Sequence, residues 1–503
     1  MDELNMLFQF IDTLTRQLET DYSLDHEKLS DLTVCLVDLS PLRLRFSPDT
    51  PFILISAENI VRFKELELYN LVAEELKVRQ TLPGSAVVLI EGSGAFLEAL
   101  GKDPYWAVII DEEDINVIQK HNNPKRAIAD LFRSLVPLRF LSPYEPFQSV
   151  IGSQFYGRTF EVNQILTRPR DSFAIFGGRK IGKTSLLKEI RRKLVTKLLP
   201  KEQIKRVIWY DFWGHKSDEA FYAEIVRHFG EGFPKLIRPD FASYFPRFIE
   251  KMKGTYGGPI FFFFDEVDDL ILHERETNYQ LLGLLKRIAQ AGHCQLLMAG
   301  FRLLSEELNR HATPLNFMRP LSLSNLNREQ TLSMIKDPMS SLSILIDRGV
   351  LSEILNNTGG HPHLVQVYGQ SLIELLDKSD ERKVTLNHLR EIKQRGQLYD
   401  SLIDSLIENT SDLEFALVIS LSDMEEFTLE TIDSLLDEHN INLQVRQIRQ
   451  ICRSLENTGI IARRGNSDNY QFSVPLQSAL ARSVASPEFV WRKAIRQVEL
   501  NKS

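Results

Sequence analysis

Cysteine is scarce in this chain: 503 residues hold three, Cys35, Cys294 and Cys452, and they stand far apart. Such thiols build neither a disulfide framework nor a zinc site, and they fit a reducing compartment. Long apolar runs are missing as well. The strongest, Ile260 to Phe264, is far short of the about 20 residues a membrane-spanning helix needs. A basic excess is also absent, with 60 Lys plus Arg against 68 Asp plus Glu and a net charge of −8. That balance excludes a general positive coat for nucleic acid and leaves local patches open. There is no internal repeat and no low-complexity tract. The start, MDELNMLFQFIDTL, carries acids where a secretion signal carries positive charge. Its Leu4, Leu7, Phe8, Ile11, Leu14 and Leu18 recur at helical spacing and predict an amphipathic helix. A cytoplasmic protein without a membrane segment is the expectation.

The remaining composition is that of globular material, 43% hydrophobic, 25% charged and 9% aromatic. At about 100–200 residues per domain, the length predicts three or four domains. Charge divides them unevenly: residues 1–145 hold 24 acids against 14 bases, whereas the rest holds 44 against 46. The first stretch alternates apolar runs (TVCLVDL, PFILIS, SAVVLIEG, WAVIID) with helical periods at Glu65–Arg79 and Arg126–Leu135, which predicts a small α/β unit over 1–140. Leu141-Ser-Pro-Tyr-Glu-Pro-Phe-Gln, with two prolines close together, reads as a linker. Strands are then predicted at Phe173–Phe176, Val207–Phe212, Ile260–Phe264, Gln295–Ala299 and Phe317–Leu321, with helices between them. That is a parallel α/β core over 151–322. Residues 323–400 look all-helical. In 405–485, three short helices precede strand-like Gly459–Arg464 and Asn469–Val474, an order that suits a winged helix.

One motif decides the chemistry. Gly177-Gly178-Arg179-Lys180-Ile181-Gly182-Lys183-Thr184 follows an apolar strand and opens the helix that begins at Ser185, matching G-x-x-x-x-G-K-[ST]. Its glycines let the backbone turn successive N–H groups onto phosphate oxygens, and the helix N-terminus adds partial positive charge. Lys183 would bridge β- and γ-phosphates and the Thr184 hydroxyl would hold Mg²⁺. The apolar run Ile260–Phe264 ends in Asp265-Glu266, placing two carboxylates at the C-terminal edge of a buried parallel strand, where open α/β sheets bind ligands. Asp265 is expected on the metal and Glu266 on the attacking water as general base. A strand running into an acidic turn is the plainer alternative, since Asp268 and Asp269 follow.

From about residue 150 to 480 the chain resembles the STAND class of signal-transduction ATPases and their relatives among AAA+ and archaeal initiator-type ATPases. Phe155-Tyr156-Gly157-Arg158-Thr159-Phe160-Glu161 looks like the F-x-G-R-x-x-E box that precedes the phosphate loop. The resemblance implies Tyr156, Gly157 and Arg158 on the base side of the nucleotide. LLMAGFR looks like the sensor strand, implying that Arg302 approaches the γ-phosphate. Thr358-Gly359-Gly360-His361-Pro362-His363-Leu364 resembles the G-x-P motif of a helical lid, implying Pro362 against adenine and His361 near the phosphates. The terminal winged helix completes the order. The resemblance implies an α/β fold: a P-loop sheet of the additional-strand type with a helical lid, a winged helix and a separate N-terminal α/β domain. It also implies ATP and ADP as ligands, Mg²⁺-dependent slow hydrolysis catalysed by Lys183, Glu266 and Arg302, self-assembly, and a regulatory or defence role. No arginine finger stands in a recognisable frame.

Nucleic acid is the open question. Eleven bases against two acids lie between Arg179 and Arg206, more in keeping with a solvated face and the phosphate loop than with DNA. Arg446, Arg449 and Arg453 fall on one helical face opposite Val445, Ile448 and Cys452, and Arg463 and Arg464 begin the wing. Two readings stand side by side: a basic recognition helix that engages duplex DNA as an AAA+ loader does, or a lid that closes the nucleotide site. In the first 140 residues, Glu75-Leu-Lys77 has the spacing of some nucleases and Asp111-Glu-Glu-Asp114 could hold a metal. Surface-helix charge and a solvated turn explain both more simply. A module that senses or docks an unidentified protein partner is the expectation there.

Overall fold

The computed structural model describes residues 5–500 apart from 26–30, 46–48, 80–85, 102–106, 215–217, 231–240, 311, 395–396, 466–467, 475–479 and 482–484. Part of the predicted turn at Gly465-Asn466-Ser467-Asp468 lies outside the described residues. Among the described residues, no helix is long and apolar enough to cross a membrane.

The N-terminal unit is a five-stranded sheet of β1 (Tyr22–Leu24), β2 (Thr33–Val37), β3 (Thr50–Ile55), β4 (Val87–Ile90) and β5 (Val108–Ile110), in that spatial order. β3, β4 and β5 run parallel and β1 and β2 antiparallel. Continuous apolar strands require cover on both faces. Ile53, Ile55, Val88 and Ile90 face the helix Glu65–Val78, whereas Phe52, Leu54, Val87 and Leu89 face the helices Asn5–Leu18 and Pro124–Leu135.

That second core does not stop at the module. It runs without a break into Met334, Ile335, Tyr368, Leu372 and Leu376 of the helical region. The expected linker is therefore not one. Leu141, Ser142 and Tyr144 are buried, and the Tyr144 ring fills a notch that a Cβ on Gly369 would close. The Tyr144 hydroxyl donates to the Ile335 carbonyl at 2.9 Å, and the Glu145 N–H to Gln366 Oε1 at 2.9 Å. The two prolines shape an extended segment that packs sideways against the lid, which their turn chemistry alone does not reveal.

The central sheet contains β6 (Phe173–Gly177), β7 (Val207–Asp211), β8 (Ile260–Asp265), β9 (Cys294–Gly300) and β10 (Arg319–Leu323), all parallel, in the order β10-β6-β9-β8-β7. β9 thus separates the strand that leads into the phosphate loop from the strand that ends in Asp265. The Ile260–Phe264 run shows why such a strand reads as solid hydrophobe. Phe262 and Phe264 enter one core and Phe261 and Phe263 the opposite one. The last strand lies two residues beyond its predicted span, because Pro314–Phe317 forms a 3₁₀ turn capped by Thr313.

The helical region is interrupted by a short parallel pair, β11 (Leu345–Ile346) with β12 (Lys383–Val384), so it is not all-helical. The C-terminal module carries helices Asp412–Leu421, Leu429–Glu438 and Val445–Asn457 and an antiparallel sheet. Its strands are β13 (Phe427–Thr428), β14 (Ile461–Arg463) and β15 (Asn469–Phe472), in the order β13-β15-β14. A closing helix, Pro487–Leu500, packs along Asp412–Leu421, and Trp491 Nε1 donates to Ser420 Oγ at 3.0 Å.

Candidate phosphate-binding site

A cleft of about 950 Å³ opens at the C-terminal edge of the central sheet. It is lined by Arg179 to Ser185, Asp265, Glu266 and Arg302, and by Tyr156, Arg158 and Pro362. The sequence motifs therefore converge in space, with four exceptions. Gly177 and Gly178 do not line the cleft, and their carbonyls accept from Lys183 Nζ. Gly157 does not line the cleft; its carbonyl accepts from Gln330 Nε2 and seats the start of the lid. His361 also lies behind the cleft wall, buried.

The loop is shaped for anions. Gly182, at φ 100°, turns the chain into the helix Lys183–Lys193, a backbone angle that side chains resist. The first N–H groups of that helix have no intrahelical acceptor. Lys183 Nζ folds back onto the Gly177 and Gly178 carbonyls at 3.0 and 2.8 Å. Burial lowers the pKa of this ammonium, while Glu266, Asp268 and Asp265 favour its charge. An ammonium desolvated in this way binds a phosphate oxygen strongly.

Thr184 Oγ1 donates to Asp265 Oδ2 at 2.8 Å, pairing the hydroxyl and carboxylate proposed for the metal. Burial raises the Asp265 pKa, which a hard cation on its oxygens would reverse. Glu266 is raised too, by burial first and the Asp265 charge second. Its backbone sits at φ 49°, ψ 43°, left-handed for a residue with a side chain, the kind of strain that collects at working sites. The neighbouring acids have other duties. Asp268 accepts from the Phe301 and Leu303 N–H groups, and Asp269 from the Gly214 N–H at 2.7 Å. Of the four acids at the end of β8 and just beyond it, all of which line the cleft, those two brace the backbone of neighbouring segments.

Arg158 is 5% exposed and its guanidinium meets the Ser324 and Ile181 carbonyls and Glu161, so it braces the loop from behind. Tyr156 is half-buried, and burial pushes its phenol up to about 12. The Ser185 hydroxyl accepts from the Val150 N–H at 3.2 Å.

The C-terminal module reaches into this cleft; the sequence offered a closing lid as one of two readings but none of the residues that make the contact. Arg302 Nη2 lies 2.5 Å from Glu414 Oε2 and donates to the Asn409 carbonyl. Asn409 Oδ1 accepts from the Arg179 N–H at 2.7 Å, and the Asn457 carbonyl from the Gly178 N–H at 3.1 Å. A Cβ on Gly178 would stand 2.6 Å from the Thr458 carbonyl, so that glycine admits the module's backbone. Ser411-x-x-Glu414 is legible as a helix-capping pattern, and its hydrogen bonds are present; its second partner, Arg302, left no trace in sequence.

Elsewhere, expectations meet plainer facts. Val445 is exposed rather than packed opposite the arginines, although Ile448 and Cys452 are buried. Arg449 pairs with Asp468 at 3.4 Å, Arg463 with Glu456 at 3.5 Å, and Arg464 with Glu426. Three of the five cations proposed for nucleic acid are thus engaged by acids of their own module, while Arg446 and Arg453 are exposed. Glu75 is buried and paired with Arg79 at 2.9 Å, and Asp111 and Asp114 form a helix-capping box. Among the described residues, no group of three or more His, Cys, Asp and Glu side chains is arranged to hold a metal.

Burial pushes the His361 imidazole down to about 3 and the His363 imidazole down to about 4. Between those values and the free value of about 6.5, the unfolded chain binds more protons, so stability falls as pH falls through this window. The loss should approach about 1.4 kcal/mol per pH unit per histidine. His361→Phe should flatten the dependence of the urea midpoint between pH 6.5 and 4; an unchanged slope would contradict it.

No family model matches this sequence, and no curated protein matches it. Several solved structures are similar. The Walker-type ATPase PABY2304 of Pyrococcus abyssi is 13% identical over 65% of this chain and 96% of that one, with a TM-score of 0.45. The ORC2 protein of Aeropyrum pernix, solved as ADPNP–ADP complexes, is 14% identical over 70% and 98%, with a TM-score of 0.47. The ORC1 protein of the same organism, solved with DNA, is 14% identical over 67% and 94%, with a TM-score of 0.37.

Proposed function

We propose that this chain is a STAND-type molecular switch, an AAA+ relative that binds ATP with Mg²⁺, hydrolyses it slowly and changes conformation and assembly with nucleotide state. The observation that carries the reading is the Arg302 clamp. Arg302, the cation that the resemblance brings to the γ-phosphate, is held by Glu414 and Asn409 of the C-terminal module, in the cleft that contains Lys183, Asp265 and Glu266. A triphosphate and Glu414 compete for one guanidinium, which supplies the differential affinity that a ligand-driven change requires.

In this reading the loop N–H groups and Lys183 hold the β- and γ-phosphates. Thr184 and Asp265 would hold Mg²⁺, which supplies charge neutralisation at the phosphate oxygens. Glu266 orients water and takes its proton; a carboxylate raised by burial is the better base. While Arg302 stays clamped, charge developing on the departing phosphates lacks one donor, and turnover is slow.

Light scattering on a sizing column tests this with Glu266→Gln in Mg²⁺-ATP, with and without duplex DNA. Assembly on ATP alone is expected. Assembly only with DNA would favour a loader instead, and a monomer under both conditions would contradict nucleotide-controlled self-assembly.

A further inference from the structure

The lid helix Pro362–Ser379 presents two polar side chains to the cleft one turn apart, His363 and Gln366. Around them the wall is apolar, formed by Phe147, Leu326, Met334 and Pro362. His363 is 4% exposed. Its Nδ1 lies 2.9 Å from the Pro146 carbonyl, which can only accept, so Nδ1 carries the hydrogen. The tautomer is thereby fixed, and Nε2 is a lone-pair acceptor. That Nε2 is buried with no hydrogen-bond partner, a state that ordinarily costs free energy. Burial, with Lys180 adding, keeps the ring neutral and so keeps the lone pair.

Gln366 supplies the complement. Its Oε1 accepts from the Glu145 N–H at 2.9 Å, which fixes the carboxamide orientation and turns its NH₂ group into the remaining donor. Phe147, 75% exposed, stands at the rim with its ring 6.0 Å from the His363 imidazole, edge to face, and offers a surface for a planar ligand. The wall therefore combines an aromatic face with one acceptor and one donor.

We propose that His363 Nε2 accepts from the exocyclic amine of a 6-aminopurine while the Gln366 amide donates to a neighbouring ring nitrogen, so that this pair selects adenine over guanine nucleotides. Guanine presents an oxygen where adenine presents the amine, and two acceptors would face each other. The proposal rests on the nucleotide-site reading above and names its specificity determinant. Neither residue belongs to the phosphate loop or the Asp265–Glu266 pair.

Calorimetric titration of the full chain with non-hydrolysable ATP and GTP analogues and with purine riboside triphosphate, which lacks the amine, tests it in Mg²⁺. The wild type should bind the ATP analogue about tenfold or more tighter than either competitor, the worth of one buried hydrogen bond. His363→Phe, which keeps a ring but no acceptor, should narrow both gaps to about threefold or less by losing ATP-analogue affinity. Should that variant not fold, Gln366→Glu, which removes the donor, must lower ATP-analogue affinity by a similar factor. Equal binding of all three ligands by the wild type, or a full preference retained in His363→Phe, would overturn the proposal alone. Binding of none would overturn the nucleotide site itself, and the proposal with it.

Discussion

Lys183→Ala is expected to cut the nucleotide response by half or more while leaving the empty protein as stable as before. Removing a charge-assisted hydrogen bond to phosphate costs about 1.5–3 kcal/mol, or roughly 10- to 150-fold in affinity. Without ligand, however, the ammonium is buried, and its burial is unfavourable to charge. Taking such a group away need not destabilise, since desolvation opposes what the Gly177 and Gly178 carbonyls return. Thermal unfolding reads both halves. Wild type with Mg²⁺-ATP at 100 times its dissociation constant should gain about 2.7 kcal/mol. The variant should match wild type without nucleotide and gain only about 0.3–1.4 kcal/mol at that concentration. A variant that keeps the full nucleotide-dependent gain would remove Lys183 from the phosphate site. Glu266→Gln should do the reverse, keeping the gain while hydrolysis falls by about 10²–10⁴-fold.

The sheet and the loop were legible in the sequence because each rests on a local signal. A run of five apolar residues ending in Asp265-Glu266 can scarcely be anything but a buried strand with acids at its edge. Gly182-Lys183-Thr184 likewise fixes a backbone turn before a helix, whatever lies around it. Legibility fails where the deciding contact lies far along the chain. Tyr144 sits between two prolines and reads as linker, yet it is buried because Gly369, more than two hundred positions on, leaves a space for its ring. Arg302 reads as a phosphate contact, and its pairing with Glu414 depends on how the modules meet. His361 and His363 differ by two positions in one motif, but the helix N-terminus sends the first behind the wall and the second onto it.

These long-range contacts tie the modules together. The N-terminal unit and the lid share one apolar core, so a lid movement carries the N-terminal sheet with it. Arg43 with Asp337, and Arg133 with the Ser341 carbonyl, cross the same boundary. A partner that binds residues 1–140 would thus act on the lid directly, and through Pro362 and His363 on the cleft.

Releasing the C-terminal module should therefore raise ATP turnover. Gly178→Ala tests this at the loop. The φ angle at Gly178 is not positive, so alanine is tolerated by the local backbone, but its Cβ would stand 2.6 Å from the Thr458 carbonyl and 3.2 Å from Asn409 Oδ1. Backbone cannot yield as a flexible side chain can, so the module must move away. Glu414→Ala tests the same contact from the other side by freeing Arg302. A coupling of about 1–3 kcal/mol between docking and nucleotide would correspond to a roughly 5- to 150-fold change in the equilibrium. Steady-state hydrolysis should rise within that range in either variant, and the double variant should rise no further than the larger single effect, because both remove one restraint. Adding Arg302→Ala should cancel the gain, since the freed guanidinium is what does the work. If Gly178→Ala and Glu414→Ala both hydrolyse ATP at the wild-type rate, the C-terminal module does not restrain the site. If the gain survives the loss of Arg302, the restraint acts through the loop N–H groups that Asn409 and Asn457 occupy.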